Sequence, residues 1–216
     1  MNLDEKIINA LKDLDYKEAT EIQKKAIPIA LKKRDILAAA QSGTGKTAAF
    51  LLPILTELLA NKQVDKPILR ALILVPTREL ATQISKAVSD FSKYMEVESL
   101  AMVGGVSTKD QEKKIAKGLD ILVATSGRLM EHLKNGTVDL SSVTTVVIDE
   151  VDTMLDMGFL EDIEKILPSV GPKRQIMMFS ATMNQNVKKL AKEFLTDPVV
   201  VEVAQQRSAV KIIDQQ

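Results

Sequence analysis

The sequence predicts an α/β fold with a mostly parallel central sheet and helices on both faces. Apolar, β-branched-rich runs recur at 35–40, 71–76, 99–103, 120–125, 144–150, 175–182 and 198–203. Most lack polar–apolar alternation, as expected for strands covered on both faces. Segments of helical period separate them, and strands alternating with helices imply parallel pairing through crossovers.

In chain order, Leu3, Ile7, Ile8, Leu11 and Leu14 lie on one helical face. The run at 35–40 leads into AQSGTGKTAAF (40–50), a glycine-rich turn followed by a helix. After 71–76, Leu80, Ile84, Ala87 and Phe91 share a face over 78–92. The run VVIDEVD (146–152) ends in carboxylates, and DTMLDMGF beyond it can begin a helix. Val187, Leu190, Ala191, Phe194 and Leu195 follow the i, i+3, i+4 rule over 184–195. These elements predict one domain over 1–206. The polar segment 207–216 reads as a tail or the start of a linker.

Bulk properties narrow the function classes. Hydrophobic residues make up 45% and charged residues 27%, ordinary values for a globular domain. No apolar run approaches the ~18–20 residues that cross a bilayer. The acidic, amphipathic start resembles neither a signal nor a transit peptide, so no membrane partner is expected and a cytoplasmic location is the simplest reading. Cysteine is absent and His132 is the single histidine, which excludes disulfides, thiolate metal sites and multi-histidine centres. Lys+Arg and Asp+Glu both number 29, which argues against a polybasic, charge-driven nucleic-acid binder. Composition says nothing of oligomeric state.

In such a fold, ligands gather at the carboxyl ends of strands. Gly43 and Gly45 let the backbone approach a ligand closely. Lys46 offers an ammonium to β- and γ-phosphates, Thr47 a hydroxyl to Mg²⁺, and the next helix its positive end. The strict phosphate-loop pattern fails at its first position, where Ala40 replaces glycine. The bland alternative is a glycine-rich turn with a surface lysine. Asp149 suits the Mg²⁺ that bridges the phosphates, and Glu150 a base that orients water and takes its proton. The alternative there is a helix start stocked with acids, yet three carboxylates in four residues exceed a cap's need.

AQSGTGKT, PTRELA (76–81), GG (104–105), TSGR (125–128), DEVD (149–152) and SAT (180–182), in this order, resemble the first RecA-like half of a DEAD-box ATP-dependent RNA helicase. SKYMEVESLAMVGGVS and VVVEVAQQRSA look most like the bacterial RhlE-type branch. The resemblance implies ATP and Mg²⁺ as cofactors, with Gln41, Ser42, Gly43, Thr44, Gly45, Lys46 and Thr47 around the phosphates. It implies that Thr47 and Asp149 hold the metal, partly through water. YKEATEIQ (16–23) is similar to the family's adenine-reading motif: Gln23 bonds the base edge, Tyr16 stacks on it and Thr20 steadies the phosphate loop. Read alone, Gln23 is equally a helix-surface residue and Tyr16 a core aromatic.

The resemblance further implies RNA contacts at Pro76, Thr77, Arg78, Gly104, Gly105, Thr125, Gly127 and Arg128. Arg78 and Arg128 pair with phosphates and the glycines allow close backbone approach, without base preference. Alone, both arginines read as solvated residues at helix starts. Ser180 and Thr182 are implied to hydrogen-bond Asp152, tying hydrolysis to strand separation.

Several positions depart from the commonest pattern. Val151 replaces alanine in Asp-Glu-Ala-Asp, Ser126 replaces proline before Gly127, and Ser42 replaces threonine. Ala19 and Glu21 stand where the adenine motif has prolines. None removes a catalytic atom. The similarity ends where a second RecA-like half, the supplier of arginine fingers, is expected as a partner; this chain alone is expected to hydrolyse ATP very slowly. Two other readings differ in class. A P-loop small-molecule kinase predicts an arginine-rich lid, of which the sequence has no sign. A non-catalytic nucleotide-dependent RNA-binding module predicts a damaged Lys46 or Glu150, and both are present.

Overall fold

The computed structural model describes residues 3–61 and 67–203. Seven strands form one sheet in the order β3-β4-β2-β5-β6-β1-β7, every neighbouring pair parallel. They are β1 (Ile36–Ala39), β2 (Ala71–Val75), β3 (Ser99–Met102), β4 (Ile121–Thr125), β5 (Thr145–Ile148), β6 (Gln175–Ser180) and β7 (Val199–Glu202). Each lies inside a run expected from the sequence. The α/β fold with helices on both faces is what the structure shows, and the sheet is parallel throughout its described pairs.

Helices α1 (Glu5–Asp13), α2 (Glu21–Ala30), α3 (Lys46–Ala60) and α4 (Arg78–Phe91) cover one face. On the other lie α6 (Ser126–Lys134), α7 (Val151–Asp156), α8 (Leu160–Ile166) and α9 (Gln185–Phe194). A strand turns successive side chains to opposite faces. Ile36 and Ala38 of β1 therefore join the first core and Leu37 the second; Ile73 and Leu72 of β2 divide alike. Covered on both sides, the central strands have no polar face to display.

One expectation about a helix needs correction. In α1, Ile7 is fully buried, but Ile8 and Leu14, the residue just past the helix, are 37% and 38% exposed. A short helix lying on α3 and α4 buries a narrow stripe, and those two residues fall outside it. Helix α5 (Thr108–Lys117) gave no apolar period, and its only buried residue is Gln111. Among the described residues no helix is long and apolar enough to cross a membrane. The expected tail at 207–216 lies outside the described residues.

Candidate active site

Because the strands are parallel, their carboxyl ends share one edge, and each motif follows one of them. The segments 40–47, 149–152 and 180–182 follow β1, β5 and β6; 76–78, 104–105 and 125–128 follow β2, β3 and β4. In the sheet β5, β6 and β1 are consecutive, as are β3, β4 and β2. The edge therefore divides into two adjoining halves.

In the first half, the Ala40 amide donates to the Ser180 carbonyl (2.9 Å), so the loop departs beside the end of β6. Gln41, Ser42 and Gly43 are exposed, Thr44 and Thr47 partly buried, and the Thr44 hydroxyl donates to the Gln41 carbonyl (2.6 Å). Gly45 precedes α3 with φ 92°; a Cβ there would lie 2.4 Å from Gln23 Nε2 and 2.9 Å from Thr20 Oγ1. Thr20 and Gln23 thus press directly on the loop. Replacing Gly45 by alanine combines backbone strain of ~1–3 kcal/mol with displacement of Gln23. Urea unfolding is expected to register that loss, and labelled-ADP titration a matching fall in nucleotide affinity.

Lys46 opens α3 almost completely buried (5% exposed), and its Nζ lies 3.3 Å from Asp149 Oδ1 (2% exposed). That contact is ionic without hydrogen-bond geometry, so the ammonium is a buried donor lacking an acceptor. Burial pushes the Asp149 carboxyl above the usual carboxylate range, against the pull of Lys46 and the Glu150 amide. The Glu150 amide donates to Asp149 Oδ1 (2.9 Å), and the Ser42 hydroxyl donates to Glu150 Oε1 (3.2 Å). Glu150 holds a left-handed backbone (φ 54°, ψ 49°). A non-glycine residue persists there only when its surroundings over-determine it, a pattern that clusters at functional sites.

Asp152 lies in the first turn of α7 and is bound twice by Thr182, from the amide (2.9 Å) and the hydroxyl (3.0 Å). The Ser180 hydroxyl donates to the Thr182 carbonyl (2.7 Å), bracing Thr182 where a direct bond to Asp152 was expected. Burial alone would raise the Asp152 carboxyl, but the hydrogen bonds from Thr182 outweigh it and hold it below its usual range. A depressed carboxyl stabilises the fold above its unfolded pKa of about 3.9. That contribution is lost as pH falls through the folded value. Asp152→Asn is therefore expected to shrink the acid-side loss of stability, which urea midpoints measured below about pH 5 would record.

Gln23 and Tyr16 each differ from the reading they have when taken alone. Gln23 is buried (3% exposed): Oε1 accepts the Thr20 amide (3.0 Å) and Nε2 donates to the Gly45 carbonyl (3.1 Å). It is no surface residue, and this amide joins α2 to the phosphate loop. Tyr16 is no core aromatic. It is 45% exposed, one edge meeting Phe91 of α4 at 5.6 Å between centroids.

In the second half, Pro76 is buried, and Thr77 caps α4 by accepting the Leu80 amide (3.2 Å). Arg78 is exposed with its guanidinium against Gly105, where a Cβ would stand 2.3 Å from Nη1. Thr125 is partly exposed at the start of α6 and Gly127 is exposed. Arg128 is not the solvated residue it reads as alone. Its guanidinium donates to the Val103 and Val106 carbonyls (3.3 and 2.9 Å), Thr108 Oγ1 (3.1 Å) and Glu131 (2.8 Å). The first three acceptors lie on the 103–108 segment, so Arg128 shapes the Gly104–Gly105 turn from below. Ser126, the non-proline departure, starts α6 with a buried hydroxyl lacking a partner.

Sequence reasoning missed Gln111 and took His132 only as evidence against a metal centre. The signal for Gln111 was the absence of an apolar stripe over 108–117, since a helix without one must be anchored by polar groups.

With this geometry established, comparison with known proteins is informative. The DEAD/DEAH box helicase family model matches residues 20–190. The chain is 44% identical over 204 residues to a probable ATP-dependent RNA helicase, ddx27, of Dictyostelium discoideum, covering 94% of this chain and 26% of that protein. It is 41% identical to the DEAD-box ATP-dependent RNA helicase RhpA of Helicobacter pylori, covering 94% of this chain and 40% of RhpA. A crystal structure of a DEAD box protein from Methanococcus jannaschii superposes with TM-score 0.87 at 34% identity, covering 94% of this chain and 55% of that one. The chain thus spans well under half the length of these curated relatives.

Proposed function

Because the chain belongs to the DEAD/DEAH box helicase family, we propose that it is the first RecA-like domain of an ATP-dependent RNA helicase. In this reading ATP hydrolysis in the complete protein drives local separation of RNA strands. The observation that carries it is the buried Lys46 ammonium, facing Asp149 without a hydrogen-bond acceptor, beside the strained Glu150. A desolvated cation lacking acceptors is stabilised by an anion that brings them. Phosphate oxygens at the amino end of α3 satisfy that need.

The residues then take distinct tasks. Lys46 and the amides of 41–47 bind the β- and γ-phosphates, as Tyr16 stacks on adenine and Thr20 and Gln23 set the loop from behind. Glu150 orients the attacking water and accepts its proton; the left-handed turn aims its carboxylate across the loop at Ser42. Thr47 and Asp149 suit Mg²⁺, whose charge offsets that of the phosphates. Among the described residues no cluster of three or more histidine, cysteine or acidic side chains could hold a metal alone.

RNA lies along the other half of the edge, with Pro76, Thr77, Arg78, Gly104, Gly105, Thr125 and Gly127 against sugar and phosphate. Arg128 supports them by fixing the 103–108 loop. The Asp152–Thr182–Ser180 latch sits on the first half, at β5 and β6, next to β2 where the second half begins. A second RecA-like domain completes both sites; arginine fingers there contribute ~10³–10⁵-fold in rate. RNA-stimulated ATP hydrolysis by the complete protein tests this reading. A kinase or a non-catalytic binding module gives no such stimulation.

A further inference from the structure

A buried polar relay beneath the Gly104–Gly105 turn has no part in the tasks assigned above. The Val103 carbonyl accepts from Gln111 Nε2 (3.0 Å) and from Arg128 Nε (3.3 Å). Gln111 is 2% exposed, and its Oε1 lies 3.1 Å from Nε2 of the fully buried His132. A carbonyl only accepts, so the amide nitrogen faces Val103 and the amide oxygen faces the ring. That oxygen also only accepts, which places the ring proton on His132 Nε2. Nδ1 then faces the Thr137 hydroxyl (2.7 Å), whose single proton serves both that nitrogen and the His132 carbonyl (3.1 Å). Burial, helped by Arg128, holds His132 below its ordinary pKa against the opposing charges of Glu112 and Glu131. The ring is therefore neutral at neutral pH.

The relay runs Thr137, His132, Gln111, Val103, and ends one peptide before Gly104. An apolar side chain could also fill a buried position on α5, but it would leave the carbonyl direction unset. Direction matters here because the Val103 carbonyl and the Gly104 N–H belong to one planar trans peptide. Pulling the carbonyl inward turns that N–H outward, away from α5. Gly104 faces open space, with nothing within 4 Å of a Cβ built there. Beside it, Gly105 supports the Arg78 guanidinium.

We infer that Gln111, backed by His132, is a positioning residue that aims the Gly104 N–H, together with Arg78, at a phosphate of the RNA backbone. The inference rests on the proposed RNA reading of this half of the edge. Gln111→Met keeps the side-chain volume and removes both hydrogen bonds. In the full chain it is expected to weaken binding of a labelled oligouridine strand about threefold to tenfold, leaving labelled-ADP affinity unchanged. Gln111→Glu adds a test that lost packing cannot mimic. A carboxylate cannot donate to the Val103 carbonyl but a carboxylic acid can, so RNA affinity recovers as pH falls, a recovery absent from the parent. Oligouridine binding within twofold of the parent for Gln111→Met, or a flat pH profile for Gln111→Glu, overturns the inference. If Arg78→Ala still weakens binding, the RNA reading stands; if neither Arg78→Ala nor Gln111→Met does, both fall.

Discussion

Replacing Glu150 by glutamine is expected to lower ATP hydrolysis by the complete protein about 10²–10⁴-fold, the range typical for loss of a general base. The substitution keeps the shape and the contact with Ser42, because an amide oxygen still accepts the hydroxyl seen at 3.2 Å. Only the capacity to take a proton disappears. Nucleotide affinity should therefore change far less than turnover, separating a chemical role from a binding one. The left-handed backbone at Glu150 makes a second substitution informative. Glu150→Gly relieves the strain and also removes the carboxylate, so it should raise the urea midpoint as turnover falls. Single-turnover kinetics together with labelled-ADP binding check both statements. Glu150→Gln with turnover within tenfold of the parent would remove Glu150 from the chemistry.

The second large effect concerns Lys46→Met. Phosphate loses its buried counter-charge, and removal of one such electrostatic partner typically costs 10²–10³-fold in catalysis. The variant also changes stability. Asp149 already has its carboxyl raised by burial, with Lys46 opposing that rise. A raised carboxyl pKa means the folded state holds the proton more tightly than the unfolded chain. Stability therefore falls as pH rises from about 3.9 through the folded value, and levels off above it. Without Lys46 the folded value moves higher still, so the decline continues further toward neutrality. Breaking a buried ion pair on one side costs ~3–5 kcal/mol when the remaining charge persists. Protonation of Asp149 caps that cost. The Lys46→Met, Asp149→Asn double variant should recover most of the loss at neutral pH, a coupling that urea titrations of the double-mutant cycle measure.

Much of the fold was legible because the strands are short, apolar and covered on both faces. Thr145–Ile148, buried at every position, left no alternation to mislead. The phosphate loop was legible through Gly-Lys-Thr between a strand and a helix. Helix α5 was not, since its anchor is one amide hydrogen-bonded across the fold to Val103 and His132. Arg128 and Gln23 carry groups that suit a ligand, yet the fold engages both with main-chain atoms. Arg128 reaches carbonyls 25 and 22 residues away, a pairing no local pattern encodes. Val151 stood out only as a departure from alanine that removes no catalytic atom. At 0% exposure in the second core it is a packing residue, so truncation to alanine acts first on stability.

The central claim is that one sheet edge carries two adjoining sites, nucleotide on the β5, β6, β1 half and RNA on the β3, β4, β2 half. Amide chemical-shift mapping of the chain tests it most directly. A non-hydrolysable ATP analogue with Mg²⁺ is predicted to shift amides of 41–47 and 149–150, and oligouridine those of 77–78, 104–105 and 125–127. Perturbation of one common half by both ligands, or of neither half by either, would contradict the account.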